Sequence, residues 1–202
     1  MNIRRAVLLG IAILVGFGIV YTTLTFARPY TYQGSLIEPP VSAPDFELVD
    51  QRGQPFRLNG LRDKVTLIFF GYTHCPDVCP VTLTDFKKIK AQLGNQSKDV
   101  VFLFITTDPE RDTPEQLMNY LKNFDPEFVG LTGERSSLES VWQDYGVYQA
   151  KVESGDPDNY LVDHSARTYI IDKNGNLRLT YLFGTSSEVI AEDVAHLLKE
   201  NE

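Results

Sequence analysis

Residues 65–82, VTLIFFGYTHCPDVCPVT, join a nearly unbroken apolar run to two cysteines four positions apart. Val65 to Phe70 has the composition of a central strand covered on both faces. Beyond the cysteines, Leu83, Phe86, Ile89 and Leu93 recur at helical spacing, and Gly94 sits where a helix stop belongs. Cys75 and Cys79 therefore fall past the carboxyl end of a buried strand and at the head of an amphipathic helix, a ligand position in α/β domains. The spacing predicts Cys75 as N-cap with Pro76 at N1, a setting that favours a reactive thiolate. Pro80 then lies inside the helix and distorts its first turn.

Outward from this stretch, the segment 28–64 is rich in Pro and Gly. It reads as a tether over 28–37 followed by short strands at FELVD and PFRL. DVVFLFITT (99–107) is a second buried strand. Thr113, Pro114 and Gln116 supply an N-cap, an N1 proline and a capping-box partner for a helix through about Phe124. EFVGLTG offers a short strand. Ser136 and Glu139 read as another capping box, with Leu138, Val141, Trp142 and Tyr145 on one face and Gly146 closing the helix. Residues 147–165 read as a long polar loop. ARTYIID and NLRLTYLF then form a hairpin around Asn174-Gly175, and Thr185 and Glu188 cap a last helix with Ile190, Val194, Leu197 and Leu198 inward. The order predicts an α/β domain of helices over a mixed sheet. No repeat and no glycine-rich phosphate loop is present.

The first 27 residues differ in kind. MNIRR precedes Ala6 to Ala27, 22 residues without a charge, about 33 Å as a helix and long enough to cross a hydrocarbon core. Arg4 and Arg5 are retained on the cytoplasmic side, which exports the rest. The rival, a cleaved signal peptide, has Thr25-Phe26-Ala27 as a poor cleavage site and exports the same domain. The expected organisation is an anchor at 1–27, a tether at 28–37 and a folded domain at 38–202.

Of 19 Lys plus Arg, two are Arg4 and Arg5, so 17 basic residues face 27 acidic ones in 28–202, a net charge of −10. That balance disfavours nucleic acid and anionic lipid, and suits cationic proteins or metal ions. An exported domain also permits a disulfide, although two cysteines make no stapled scaffold.

Three readings of the cysteine pair compete. A structural disulfide would close a loop of three residues and contribute little through loop entropy. A thiol-disulfide enzyme of the thioredoxin type has C-x-x-C, whereas this chain has C-x-x-x-C, which alters the dithiol's poise without abolishing exchange. A metal site needs a third ligand, and the candidates are His74, His164 and His196. His74 adjoins Cys75 and points elsewhere, while His196 sits on the last helix as a surface residue. His164 precedes a strand, where a loop can present it over the cysteines, and Asp163 either orients its ring or caps a turn. Two thiolates and an imidazole suit Cu(I) and accommodate Cu(II) or zinc, zinc usually with a fourth ligand. Asp108, Glu110 and Asp112 read as turn and helix-start residues.

FFGYTHCPDVCP (69–80), TTDPERDTPEQL (106–117) and DNYLVDHSARTYIID (158–172) together resemble, in order, the Sco/SenC family of copper-binding assembly factors for cytochrome c oxidase. The resemblance runs over roughly residues 38 to 200. It implies a thioredoxin-like mixed sheet flanked by helices, behind an N-terminal transmembrane helix. It also implies copper, Cu(I) or Cu(II), held by Cys75, Cys79 and His164. The implied partner is cytochrome c oxidase subunit II or another copper-receiving protein, with thiol reduction of that partner as an alternative activity and a thiol reductant as a further partner. Apart from the resemblance, an N-terminus with no separate transit segment ahead of the apolar helix favours the outer face of a bacterial plasma membrane over a mitochondrial import route. The stretch His164-Ser165-Ala166-Arg167 lacks the cis-proline of thioredoxins, and Tyr72 stands where peroxiredoxins have Thr. Both features agree with the resemblance and weigh against general disulfide exchange or peroxidase chemistry.

Overall fold

The computed structural model describes residues 2–26, 30–152 and 160–200. It divides into two units, Met1–Thr31 and Tyr32–Glu202. The first is one helix, α1 (Ile3–Phe26), whose segment Ile3–Tyr21 has a mean hydropathy of 2.1 and buries nothing. By length and composition this helix can cross a membrane.

The second unit is built on an eight-stranded mixed sheet. Its strands are β1 (Ser35–Ser42), β2 (Glu47–Asp50), β3 (Pro55–Arg57), β4 (Val65–Gly71), β5 (Val100–Thr106), β6 (Val129–Thr132), β9 (Arg167–Ile171) and β10 (Asn176–Leu182), in the order β1-β10-β9-β4-β5-β6-β2-β3. A separate two-stranded ribbon pairs β7 (Gln149–Val152) with β8 (Leu161–His164). The helices are α2 (Val78–Leu93), α3 (Pro114–Leu121), α4 (Arg135–Asp144) and α5 (Ser187–Leu197). This is the thioredoxin-like arrangement: β4, β5 and β6 run parallel, β9 is antiparallel to β4, and β10 is antiparallel in turn to β9.

Every residue of β4 is buried, and its side chains divide by the period of two that a strand imposes. Val65, Leu67 and Phe69 join the core made with α2, α3 and α5. Ile68 and Phe70 join the opposite core, with Leu138, Val141 and Trp142 of α4. Leu83, Phe86, Ile89 and Leu93 all lie on the buried face of α2, each burial being worth about 1.5–3 kcal/mol. The Thr113 cap is formed, its hydroxyl accepting from the Gln116 amide at 3.2 Å. Gly175, at φ +81°, turns the β9–β10 hairpin where the sequence places it.

Several local expectations fail. Helix α2 begins at Val78 with Asp77 as its N-cap, so Cys75 and Pro76 precede it. Pro80 is therefore the third helical residue, where no helical acceptor exists for an amide and its missing N–H breaks nothing. Helix α4 begins at Arg135, one residue before the proposed Ser136 cap. Helix α5 is capped by Ser186 rather than Thr185, its hydroxyl accepting from the Val189 amide at 3.4 Å. The supposed loop 147–165 contains the β7–β8 ribbon, and the Pro-rich start contains β1; residues 153–159 of that loop lie outside the described residues.

Candidate metal centre

Strand β4 ends at Gly71, and the chain turns at once, with the Cys75 amide donating to the Tyr72 carbonyl at 3.2 Å. Gly71 is required by space. A Cβ there would stand 2.7 Å from Cys79 Sγ and 2.8 Å from a Phe69 ring carbon. The sulfur of Cys79 thus rests directly on the end of the strand, fully buried, while Cys75 is half-buried beside it. Cys75 is not the helix N-cap, yet its Sγ accepts from the Cys79 amide at 3.4 Å, so the sulfur itself serves one orphan donor of α2.

His164 reaches the cysteines from the far side, as the last residue of β8. Its Nε2 lies 3.6 Å from Cys79 Sγ, and its Nδ1 lies 3.3 Å from the Ser165 carbonyl. A carbonyl can only accept, so the Nδ1–H tautomer follows, leaving the Nε2 lone pair directed at the sulfurs. The ring packs against Phe69 and Tyr72, with centroids 6.0 and 5.8 Å away. The three ligand atoms lie within 4.8 Å of one another. Typical sulfur and nitrogen ligand distances are about 2.0–2.3 Å, so one soft cation can touch all three with little movement.

The two thiols are driven apart in acidity. A hydrogen bond from Cys79 stabilises the Cys75 thiolate against the cost of partial burial and brings its pKa down to about 4. Burial, and then the neighbouring Cys75, push Cys79 strongly up. At neutral pH the pair therefore holds one proton, on the buried sulfur.

The other histidines stand elsewhere. His74 Nδ1 lies 3.1 Å from the Thr73 hydroxyl, and His196 meets Tyr32 edge-on at 5.6 Å. Asp163 is an exposed residue of β8 and does not orient the His164 ring, whose Nδ1 faces the Ser165 carbonyl instead. Sequence reasoning missed the acidic loop after β5. Asp108 and Asp112 do lie in the turn before α3, but both are fully buried. Asp112 accepts from the Thr73 amide (3.1 Å), the Thr73 hydroxyl (2.6 Å) and the Thr106 hydroxyl (2.7 Å). Burial raises its pKa against those bonds. Spacing along the chain carried no sign of these partners; the one available signal was three carboxylates in five residues directly after a buried strand.

The family model described as SCO1/SenC matches residues 35–199. The chain belongs to the SCO1/SenC family. Among its relatives, the SCO2-like protein of Rickettsia prowazekii is 38% identical over 196 residues, 95% of each chain. Two solved Sco structures are similar over most of the chain. ScoI of Bradyrhizobium japonicum, solved with copper bound, is 39% identical with a TM-score of 0.72 over 78% of this chain and 99% of its own. Apo Sco1 of Thermus thermophilus is 38% identical with a TM-score of 0.73 over 85% and 98%. The cysteine loop and the β7–β8 ribbon both fall within the residues the family model matches.

Proposed function

We propose that this protein is a membrane-anchored copper carrier in which Cys75, Cys79 and His164 hold one copper ion as cargo. The observation that carries the reading is the convergence of two sulfurs and an imidazole nitrogen within 4.8 Å, a donor set suited to a soft ion. A buried sulfur fixes the ion from below and a half-buried one leaves a side open, which suits transfer better than storage. The copper-bound B. japonicum relative supports copper over zinc. The recipient is a copper-receiving protein, and by family it is the binuclear copper centre of cytochrome c oxidase subunit II, reached from the outer face of the plasma membrane.

Titration of the reduced full-length chain with Cu(I), followed by X-ray absorption, is expected to give two sulfurs and one nitrogen per copper. Unchanged affinity in Cys75→Ala or Cys79→Ala overturns the assignment.

The acidity of Cys75 favours a second reading, reduction of a partner's disulfide. The Cys75 thiolate would attack the partner's disulfide, and Cys79 would resolve the mixed disulfide, passing two electrons to the partner and leaving Cys75–Cys79 oxidised. Reduction of a disulfide peptide by the copper-free chain supports it. No exchange, with copper binding intact, rejects it.

A further inference from the structure

The loop between β5 and α3 touches both halves of the site without reaching the ligand atoms. On the cysteine side, buried Asp112 takes the amide and hydroxyl of Thr73, two residues before Cys75, and ties them to Thr106 at the end of β5. On the histidine side, buried Asp108 accepts from the Tyr160 hydroxyl at 2.7 Å and from Arg111 Nε at 2.5 Å. The Arg111 guanidinium lies 3.6 Å from the centroid of the Tyr160 ring. Tyr160 immediately precedes the strand that ends in His164. The two carboxylates are held together in turn, since the Asp112 amide donates to the Asp108 carbonyl at 3.0 Å.

Fully burying two carboxylates is costly and seldom improves stability over apolar packing. Their partners here are the cysteine loop and the foot of the histidine ribbon, so what they fix is the distance between sulfur and imidazole. Resting on the metal-site reading above, we infer that Asp108, with Arg111 and Tyr160, and Asp112, with Thr73, are positioning residues that set the His164 ribbon and the cysteine loop at the separation a three-ligand site needs. The Asp108 arm acts chiefly through the imidazole, whereas the Asp112 arm acts through the sulfurs.

A double-mutant cycle on the full-length chain in detergent separates the arms, with Cu(I) affinity read by competition against a chromophoric chelator. Tyr160→Phe is expected to lower affinity about 10-fold, the lower end of losses from groups that orient metal ligands, and to cost less than about 2-fold once His164→Ala is present. Thr73→Val is expected to lose about 10-fold in both backgrounds. Equal losses for Tyr160→Phe with and without His164, or wild-type affinity in either variant, overturns the inference. Should Tyr160→Phe fail to fold, Arg111→Lys, which keeps the charge and loses the planar stack, is expected to show the same dependence on His164. A metal-free readout keeps this distinct from the copper reading. Magnetisation contacts between the His164 ring and the rings of Phe69 and Tyr72 should be present in the wild-type chain and lost in the Tyr160 or Arg111 variant. Their persistence overturns the positioning role, whereas a wild-type chain that takes up no Cu(I) overturns only the proposed function.

Discussion

A single methyl group at residue 71 tests how tightly the site is built. Gly71→Ala would place carbon within 2.7 Å of Cys79 Sγ, 2.8 Å of the Phe69 ring and 3.0 Å of the Phe104 ring, and real Cβ contacts are not that short. Either the strand end or the first turn of α2 has to move, which overpacking data put at about 1–3 kcal/mol. Denaturant unfolding of the reduced, metal-free chain is expected to show that loss, and a wild-type midpoint would mean that the sulfur has room to retreat. The two thiols themselves make a sharper prediction. With Cys75 ionised above about pH 4 and Cys79 pushed the other way, Cu(I) binding at pH 7 displaces one proton rather than two. Calorimetry in buffers of different ionisation enthalpy counts it. Release of two protons would show that Cys75 is an ordinary thiol. Copper-free alkylation of Cys75 should likewise stay fast well below pH 7 in the wild type and slow at that pH in Cys79→Ala, which lacks the stabilising hydrogen bond.

At the scale of elements, the start of α2 decides between two accounts of Pro80. A proline in a helix interior costs about 3 kcal/mol, so its removal would stabilise the chain. At the third helical position it breaks no bond, and Pro80→Ala is expected to destabilise by about 0.4–1 kcal/mol through the freer unfolded chain. Thermal unfolding of the reduced chain gives the sign. The buried strands β4 and β5 were legible in sequence as nearly unbroken apolar runs, and the apolar stripe of α2 by its helical period. Strand β1 was hidden by Pro39 and Pro40. Its register with β10 breaks between Leu36 and Val41, and prolines are tolerated there because β1 is an edge. The β7–β8 ribbon looked like a loop because it pairs only with itself and exposes half of its strand residues. Only Val147, Tyr160 and Val162, all buried, hinted that it lies down on the core. His164 was identifiable by residue type and order, but its distance to Cys79 depends on that ribbon. The positioning roles proposed for Asp108 and Asp112 rest on Tyr160 and Thr73, tens of residues away, which no local pattern encodes.

Across the whole molecule, two features of opposite character share one chain: an acidic folded unit and an apolar helix whose only charges are Arg4 and Arg5 at its start. The large apolar side chains of α1 from Val7 to Val20 are exposed along the entire candidate span. Each gains about 1.5–3 kcal/mol on leaving water, far more in sum than a helix of this length needs to stay in a bilayer. If α1 spans the bilayer as proposed, Arg4 and Arg5 at its start would set the direction, because basic flanks resist translocation. The folded unit should therefore face outward, where its cysteines meet an oxidising compartment and its acidity meets cationic partners. Expressed in a bacterial host, the chain is expected to remain in the membrane pellet after alkaline extraction at its full 22.8 kDa. A C-terminal fusion to alkaline phosphatase, which folds only outside the cytoplasm, should be active. Exchanging Arg4 and Arg5 for Glu should lower that activity by weakening the orientation signal, without removing the chain from the pellet. A chain released by alkali, or a fusion that is inactive with the arginines in place, would mean that α1 does not anchor the metal centre where the proposed function requires it.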